Sequence, residues 1–124
     1  MSKRPHILVV DDNEAMRDNL LECLEQEGYA ADAVADGAAA LARLERAPRP
    51  DVVLMDLLMP GMDGRALAAA IRAEPRWAGV RLALITGAEL RPRGVAEVDE
   101  VLPKPFGVAE LLAAIRRLSP PSAG

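Results

Sequence analysis

Short apolar runs alternate with amphipathic stretches along this chain. Ile7-Leu8-Val9-Val10, Val52-Val53-Leu54-Met55 and Leu82-Ala83-Leu84-Ile85 are apolar at every position. Unbroken runs of this length suit strands buried on both faces, as in parallel sheets. Tyr29 to Val34 and Val101-Leu102 are weaker strand candidates. Between the runs the period changes to that of a helix. Met16, Leu20, Cys23, Leu24 and Glu27 fall at helical spacing after Asp12-Asn13, either of which can cap, and Gly28 supplies a stop. Asp36-Gly37 opens an alanine-rich segment with Leu41 and Leu44 on one face. Gly64 precedes Leu67, Ala70 and Ile71, and Val108, Leu111, Leu112 and Ile115 form a last stripe.

The predicted order is strand and helix in strict alternation, five strands in all, with only a short helix between the fourth and fifth. Connections too long for hairpins imply right-handed crossovers, hence an α/β fold with a doubly wound parallel sheet and helices on both faces. The 124 residues suit one domain, expected over residues 1–118. The Ser119-Pro-Pro-Ser-Ala-Gly stretch, residues 119–124, reads as a frayed tail or the start of a linker.

In an open parallel sheet ligands bind beyond the carboxyl ends of the strands. The residues predicted there are Asp11-Asp12 after the first strand, Asp56 after the third, Thr86-Gly87 after the fourth and Lys104-Pro105 after the fifth. Only the second strand, expected at an edge, lacks such a group. Two carboxylates about 5 Å apart repel by ~3 kcal/mol at an effective dielectric near 20, so three on one rim favour a cation. A hard divalent ion with oxygen ligands, most simply Mg²⁺, relieves the repulsion. A lysine ammonium and a threonine hydroxyl suit a transferring phosphoryl group, and an aspartate can be its nucleophile. Taken singly, Asp12 could be a helix cap, Thr86 a strand-end cap and Lys104 a solvated lysine. Asp56 caps nothing obvious, because eight residues separate it from the next helical pattern.

Composition narrows the picture. Hydrophobic residues are 51% and charged residues 27%, a globular balance. The net charge of −4 and only three aromatics argue against direct nucleic-acid binding. About half of that charge belongs to the rim itself, where Asp11, Asp12 and Asp56 face Lys104. No apolar run approaches membrane-spanning length, and no signal-peptide pattern opens the chain. A single cysteine, Cys23, suits a reducing, cytoplasmic location and reads as a core thiol. Lysine is scarce, two against 13 arginines, so an internal lysine at a strand end stands out. His6 reads as terminal decoration and Trp77 as an edge cover.

These residues closely resemble the receiver domain of two-component response regulators. The resemblance rests on the Asp11-Asp12 pair, on Asp56 in VVLMDLLMPGMDG, on Thr86 in LALITGAE and on Lys104 in LPKPF, and it runs from Ile7 to about Leu118. It implies a flavodoxin-like strand order of 2-1-3-4-5. It implies that Asp56 accepts a phosphoryl group from a sensor histidine kinase or a phosphotransfer protein. Asp11, Asp12, Asp56 and the Leu58 backbone carbonyl would hold Mg²⁺; Thr86 and Lys104 would bind the phosphoryl group. It also implies a cis Lys104-Pro105 bond, which proline makes tolerable. The output would be a changed surface read by a downstream protein, with no direct nucleic acid or membrane contact.

Two departures stand out. The family commonly has Tyr or Phe three residues before the lysine, where this chain has Val101, so the aromatic switch does not carry over. The stretch from Thr86 to Lys104 is short by roughly one helical turn. It contains Arg91-Pro92-Arg93-Gly94, so an atypical short fourth helix is expected there. Leu58 and Ala88 flank the path of a hydrolytic water and cannot orient it, which predicts a long-lived phosphorylated state. Two competing classes remain: a phosphate-independent protein-binding module, disfavoured by the intact polar set, and an Asp-nucleophile phosphatase. The phosphatase typically wants a second Asp where Leu58 stands.

Overall fold

The computed structural model describes residues 5–59, 61–87 and 97–119. Labels follow the described elements in chain order. They are β1 (His6–Val10), α1 (Glu14–Gln26), β2 (Ala30–Val34), α2 (Gly37–Leu44), β3 (Val52–Asp56), α3 (Gly64–Arg72), a 3₁₀ turn (Pro75–Trp77), β4 (Arg81–Gly87), β5 (Glu100–Lys104) and α4 (Val108–Leu118). All strand pairs are parallel and the order is β2-β1-β3-β4-β5. This is the doubly wound, flavodoxin-like sheet expected, with β2 at one edge. The helix expected between the fourth and fifth strands falls mostly on 88–96, outside the described residues.

The apolar runs are continuous because the pleat sends alternate residues into two separate cores. Ile7, Val9, Val52, Leu54, Ala83 and Ile85 pack under α1 and α4, against Leu20, Leu24, Leu111 and Ile115. Leu8, Val10, Val53, Met55, Leu82 and Leu84 face the other way, onto Ala40 and Leu44 of α2 and Leu67, Ala68 and Ile71 of α3. Each helix that leaves the carboxyl rim after β1, β2 and β3 has its own cap. The Asn13, Asp36 and Asp63 side chains accept from the backbone N–H groups of Met16, Ala39 and Ala66 at 2.8–2.9 Å. Asp11, Asp12 and Asp56 are therefore not needed as caps, which leaves their carboxylates for other work. Gly28, at φ 89°, ends α1 in the left-handed conformation that glycine tolerates.

Three expectations need correction. His6 is not terminal decoration: it lies in β1, and its Nε2 is 3.1 Å from Asp32 Oδ2. Trp77 is 4% exposed and belongs to the core on the α2–α3 side, so it does not merely cover an edge. Val108, read as part of the last apolar stripe, is 54% exposed, because it lines an open groove with Met16 and Cys23 of α1 and is not packed into the core. Cys23 packs partly buried against the α1–α4 core, and burial pushes its thiol up from the ordinary value, as suits an unreactive cysteine.

His6 and Asp32 form a network with Arg43, which is 6% exposed. Its Nε donates to Asp32 Oδ2 at 2.9 Å, while its other nitrogens donate to the carbonyls of Arg46 and Pro48. Partial burial pushes the Asp32 carboxyl upward, but bonds from Arg43 and His6 outweigh it and hold it below the ordinary range. A depressed folded value means the carboxylate stabilises the fold above its unfolded pKa of about 3.9, and that contribution fades as pH falls through the folded value. Asp32 is close to half exposed, so the effect is screened. Asp32→Asn should cost about 0.5 kcal/mol at neutral pH and close to nothing in strong acid. Urea titrations of both proteins across that range check this; an equal difference at all pH values would contradict it.

Candidate phosphoacceptor site

The carboxyl rim brings the predicted polar residues together. Asp56 is the last residue of β3 and pairs in register with Ile85, one residue before Thr86. Thr86 and Gly87 in turn pair with Pro103 and Lys104. Asp11 directly follows β1, whose Val10 pairs with Met55. Parallel registers thus place the ends of four adjacent segments side by side, which is why residues 45 and more positions apart meet.

Asp11, Asp12 and Asp56 each offer a carboxylate oxygen, and these oxygens lie within 4.8 Å of one another. Asp11 is 2% exposed, Asp56 is partly buried and Asp12 is open to solvent. Asn13 N–H donates to Asp11 Oδ1 at 2.8 Å, whereas the buried Asp11 Oδ2 has no hydrogen-bond partner. A buried carboxylate oxygen left without a donor is costly unless a cation takes it. The donor set is all oxygen and mostly anionic, so the residues fit a hard divalent ion of the Mg²⁺ type.

Lys104 Nζ stands 3.8 Å from Asp56 Oδ1. Burial pushes the Asp56 carboxyl above its ordinary value; the Lys104 charge pulls it down, the Asp11 and Asp12 charges raise it, and a backbone bond from Leu58 lowers it. Asp56 is therefore a carboxylate whose charge the protein alone does not fully compensate. Thr86 is 2% exposed, its hydroxyl donating to the Gly87 carbonyl at 3.3 Å. Leu58, two residues after Asp56, is 62% exposed, and Val101 is 38% exposed on β5. The Lys104-Pro105 peptide is cis, as the resemblance implies. Ala88 lies outside the described residues.

Sequence reasoning missed two contributors. Arg17, on α1, sends NH1 to the Asp11 carbonyl at 2.8 Å. An arginine in the first turns of a helix gives no sequence signal of such a contact. Gly64 opens α3 so close to β3 that a β-carbon there would lie 2.6 Å from the Asp56 carbonyl oxygen. Its N–H also donates to the Leu57 carbonyl at 2.9 Å, closing the loop after Asp56.

An open parallel sheet whose carboxyl rim carries three clustered carboxylates, a hydroxyl and a lysine defines a phosphoacceptor signalling domain. The response regulator receiver domain family matches residues 7–116, and the chain belongs to that family. The chain is 36% identical over 114 residues to the sensory transduction protein RegX3 of Mycobacterium tuberculosis, covering 89% of this chain and 48% of RegX3. It therefore spans about half the length of the curated relatives it matches. Among solved structures it resembles the receiver domain of a Pseudomonas aeruginosa sensor histidine kinase with a magnesium ion coordinated in its active-site cleft. That match has 32% identity and a TM-score of 0.81, and covers 94% of this chain and 98% of the other. It also resembles the response regulator TrrA of Thermotoga maritima in complex with Mg²⁺ and BeF, at 32% identity and TM-score 0.82, covering 93% and 99%.

Proposed function

We propose that this domain, spanning residues 1–118 with 119–124 as a tail or linker, accepts a phosphoryl group on Asp56 and signals by a changed surface. The observation that carries the reading is the Asp56 carboxylate itself, within 4.8 Å of Asp11 and Asp12 oxygens and 3.8 Å from Lys104 Nζ. The donor is a phosphohistidine on a sensor histidine kinase or a phosphotransfer protein. An Asp56 oxygen attacks phosphorus, the P–N bond breaks as the P–O bond forms, and the leaving imidazole takes up a proton.

Each residue has one task in this reading. Asp11, Asp12, Asp56 and the Leu58 carbonyl hold Mg²⁺. When bound, the ion supplies the positive charge that offsets the rim carboxylates and the incoming phosphoryl oxygens. Lys104 pairs with the phosphoryl group, releasing the pull it exerts on Asp56 before transfer. The Thr86 hydroxyl exchanges its bond to Gly87 for one to a phosphoryl oxygen. That exchange gives the two states different contacts, the condition for a population shift. A soluble cytoplasmic setting fits: among the described residues no helix is long and apolar enough to cross a membrane.

Incubation with a phosphohistidine donor and Mg²⁺, read by intact mass, tests this reading. One added phosphate supports it; none under any donor overturns it. The exposed Leu58 side chain carries no group to orient an attacking water, so the aspartyl phosphate should persist for minutes or longer with Mg²⁺ and no phosphatase. A half-life of seconds in a decay time course would contradict that.

A further inference from the structure

We infer that Arg17 is a positioning residue that sets the Mg²⁺ affinity of the site by locking Asp11. This inference rests on the reading of the rim as a Mg²⁺ site. Asp11 is held at three points. Its N–H donates to the Val34 carbonyl at 3.2 Å, tying it to the end of β2. Its Oδ1 accepts from Asn13 N–H at 2.8 Å. Its own carbonyl accepts from Arg17 NH1 at 2.8 Å. With those groups fixed, Oδ2 is the one Asp11 acceptor left over, buried and without a partner. The locks at Asp11 N and Oδ1 use backbone N–H donors, which substitutions other than proline leave in place. The lock from Arg17 is the only one of the three whose donor is a side chain, and so the one that a substitution removes without touching Asp11 or the backbone.

Arg17 can act on a cation in two ways, and they have opposite signs. As a charge near the acidic rim it repels Mg²⁺, so its removal should tighten binding. As the lock on Asp11 it preorganises a ligand, so its removal should weaken binding; partners that orient metal ligands typically contribute tenfold or more in affinity. The bond is short and charge-assisted, and it acts on the backbone of the most buried ligand. A guanidinium held against a carbonyl also lies off the carboxylate oxygens that meet the ion. Positioning therefore outweighs repulsion, and the net effect of losing the side-chain donor is weaker binding.

The test uses the intact chain, with Arg17→Met, which keeps the apolar stem, and Arg17→Lys, which keeps the charge and one donor. Mg²⁺ is titrated calorimetrically, and thermal melts without Mg²⁺ report folding. Arg17→Met should raise the Mg²⁺ dissociation constant about tenfold, and Arg17→Lys should recover part of the loss. The Mg²⁺ concentration for half-maximal phosphorylation should rise in step, with a smaller change in the maximal rate. Equal or tighter binding by Arg17→Met overturns the inference, because the guanidinium then acts only as a charge. So does a loss that Arg17→Lys fails to reduce. A wild-type chain that binds no Mg²⁺ would instead overturn the reading of the site.

Discussion

Asp56→Asn should abolish phosphoryl uptake while leaving the fold intact. Incubated with acetyl phosphate or a phosphohistidine donor and Mg²⁺, the wild-type chain should gain one phosphate by intact mass and the variant none. An amide is not a nucleophile for this transfer, and no neighbour stands in for it. Asp11 has one oxygen bound to Asn13 N–H and the other buried, Asp12 is open to solvent, and Lys104 pairs with Asp56. The loss should be complete, of the order expected when a nucleophile is removed. The variant should fold at least as well as the parent, because Asp56 is a partly buried carboxylate raised above its ordinary value chiefly by burial. Asn relieves like-charge repulsion with Asp11 and Asp12. A retained mass gain in Asp56→Asn would move the acceptor elsewhere.

Gly64→Ala should destabilise the chain by about 1–3 kcal/mol and cripple phosphoryl uptake. The cause is contact, not backbone conformation. A β-carbon at residue 64 would meet the Asp56 carbonyl oxygen and Leu84 Cδ1 at 2.6 Å and Leu57 Cα at 3.0 Å. Leu84 can turn its methyl aside; the two backbone atoms belong to β3 and its exit. Helix α3 must then withdraw or Asp56 must move, and the Gly64 N–H bond to Leu57 goes with either. Alanine's better helix propensity, up to ~1 kcal/mol in a helix interior, does not offset this at a first-turn position. Gly37→Ala is the matched control. Its β-carbon would also meet an atom at 2.6 Å, but all its close neighbours belong to one flexible side chain, Met62 Sδ at 2.6 Å, Cγ at 3.1 Å and Cβ at 3.2 Å, with no backbone atom among them. Urea unfolding and mass-based phosphorylation of both variants check the contrast. Equal effects at the two glycines would contradict it.

The strands were legible because each lies in a sheet covered on both sides, so the apolar run itself marks the element. The rim was legible for a related reason: parallel strands end on one edge, so a polar residue closing an apolar run has a known place before any contact is known. Asp11, Asp56, Thr86 and Lys104 were found that way. What stayed hidden depends on approach through space. His6, Asp32 and Arg43 come from three elements, and nothing in their spacing announces that one buried guanidinium joins them. Trp77 looked peripheral because it follows a helix, yet the 3₁₀ turn folds it into the same core as Val80 and Leu82. Val108 fitted the helical period but lines an open groove beside α1, and periodicity cannot tell a buried face from the wall of a groove. Gly64 read as a helix start; its closeness to the Asp56 backbone is a property of how α3 packs.

Asp56 is the residue expected to carry the phosphoryl group. Borohydride reduction of the phosphorylated chain, which converts an aspartyl phosphate to homoserine, followed by peptide mass mapping, tests it most directly. A single mark at residue 56 that requires Mg²⁺ during phosphorylation is the expected result. A mark at Asp11 or Asp12, or a mark at residue 56 that forms equally well with the metal chelated, would contradict it.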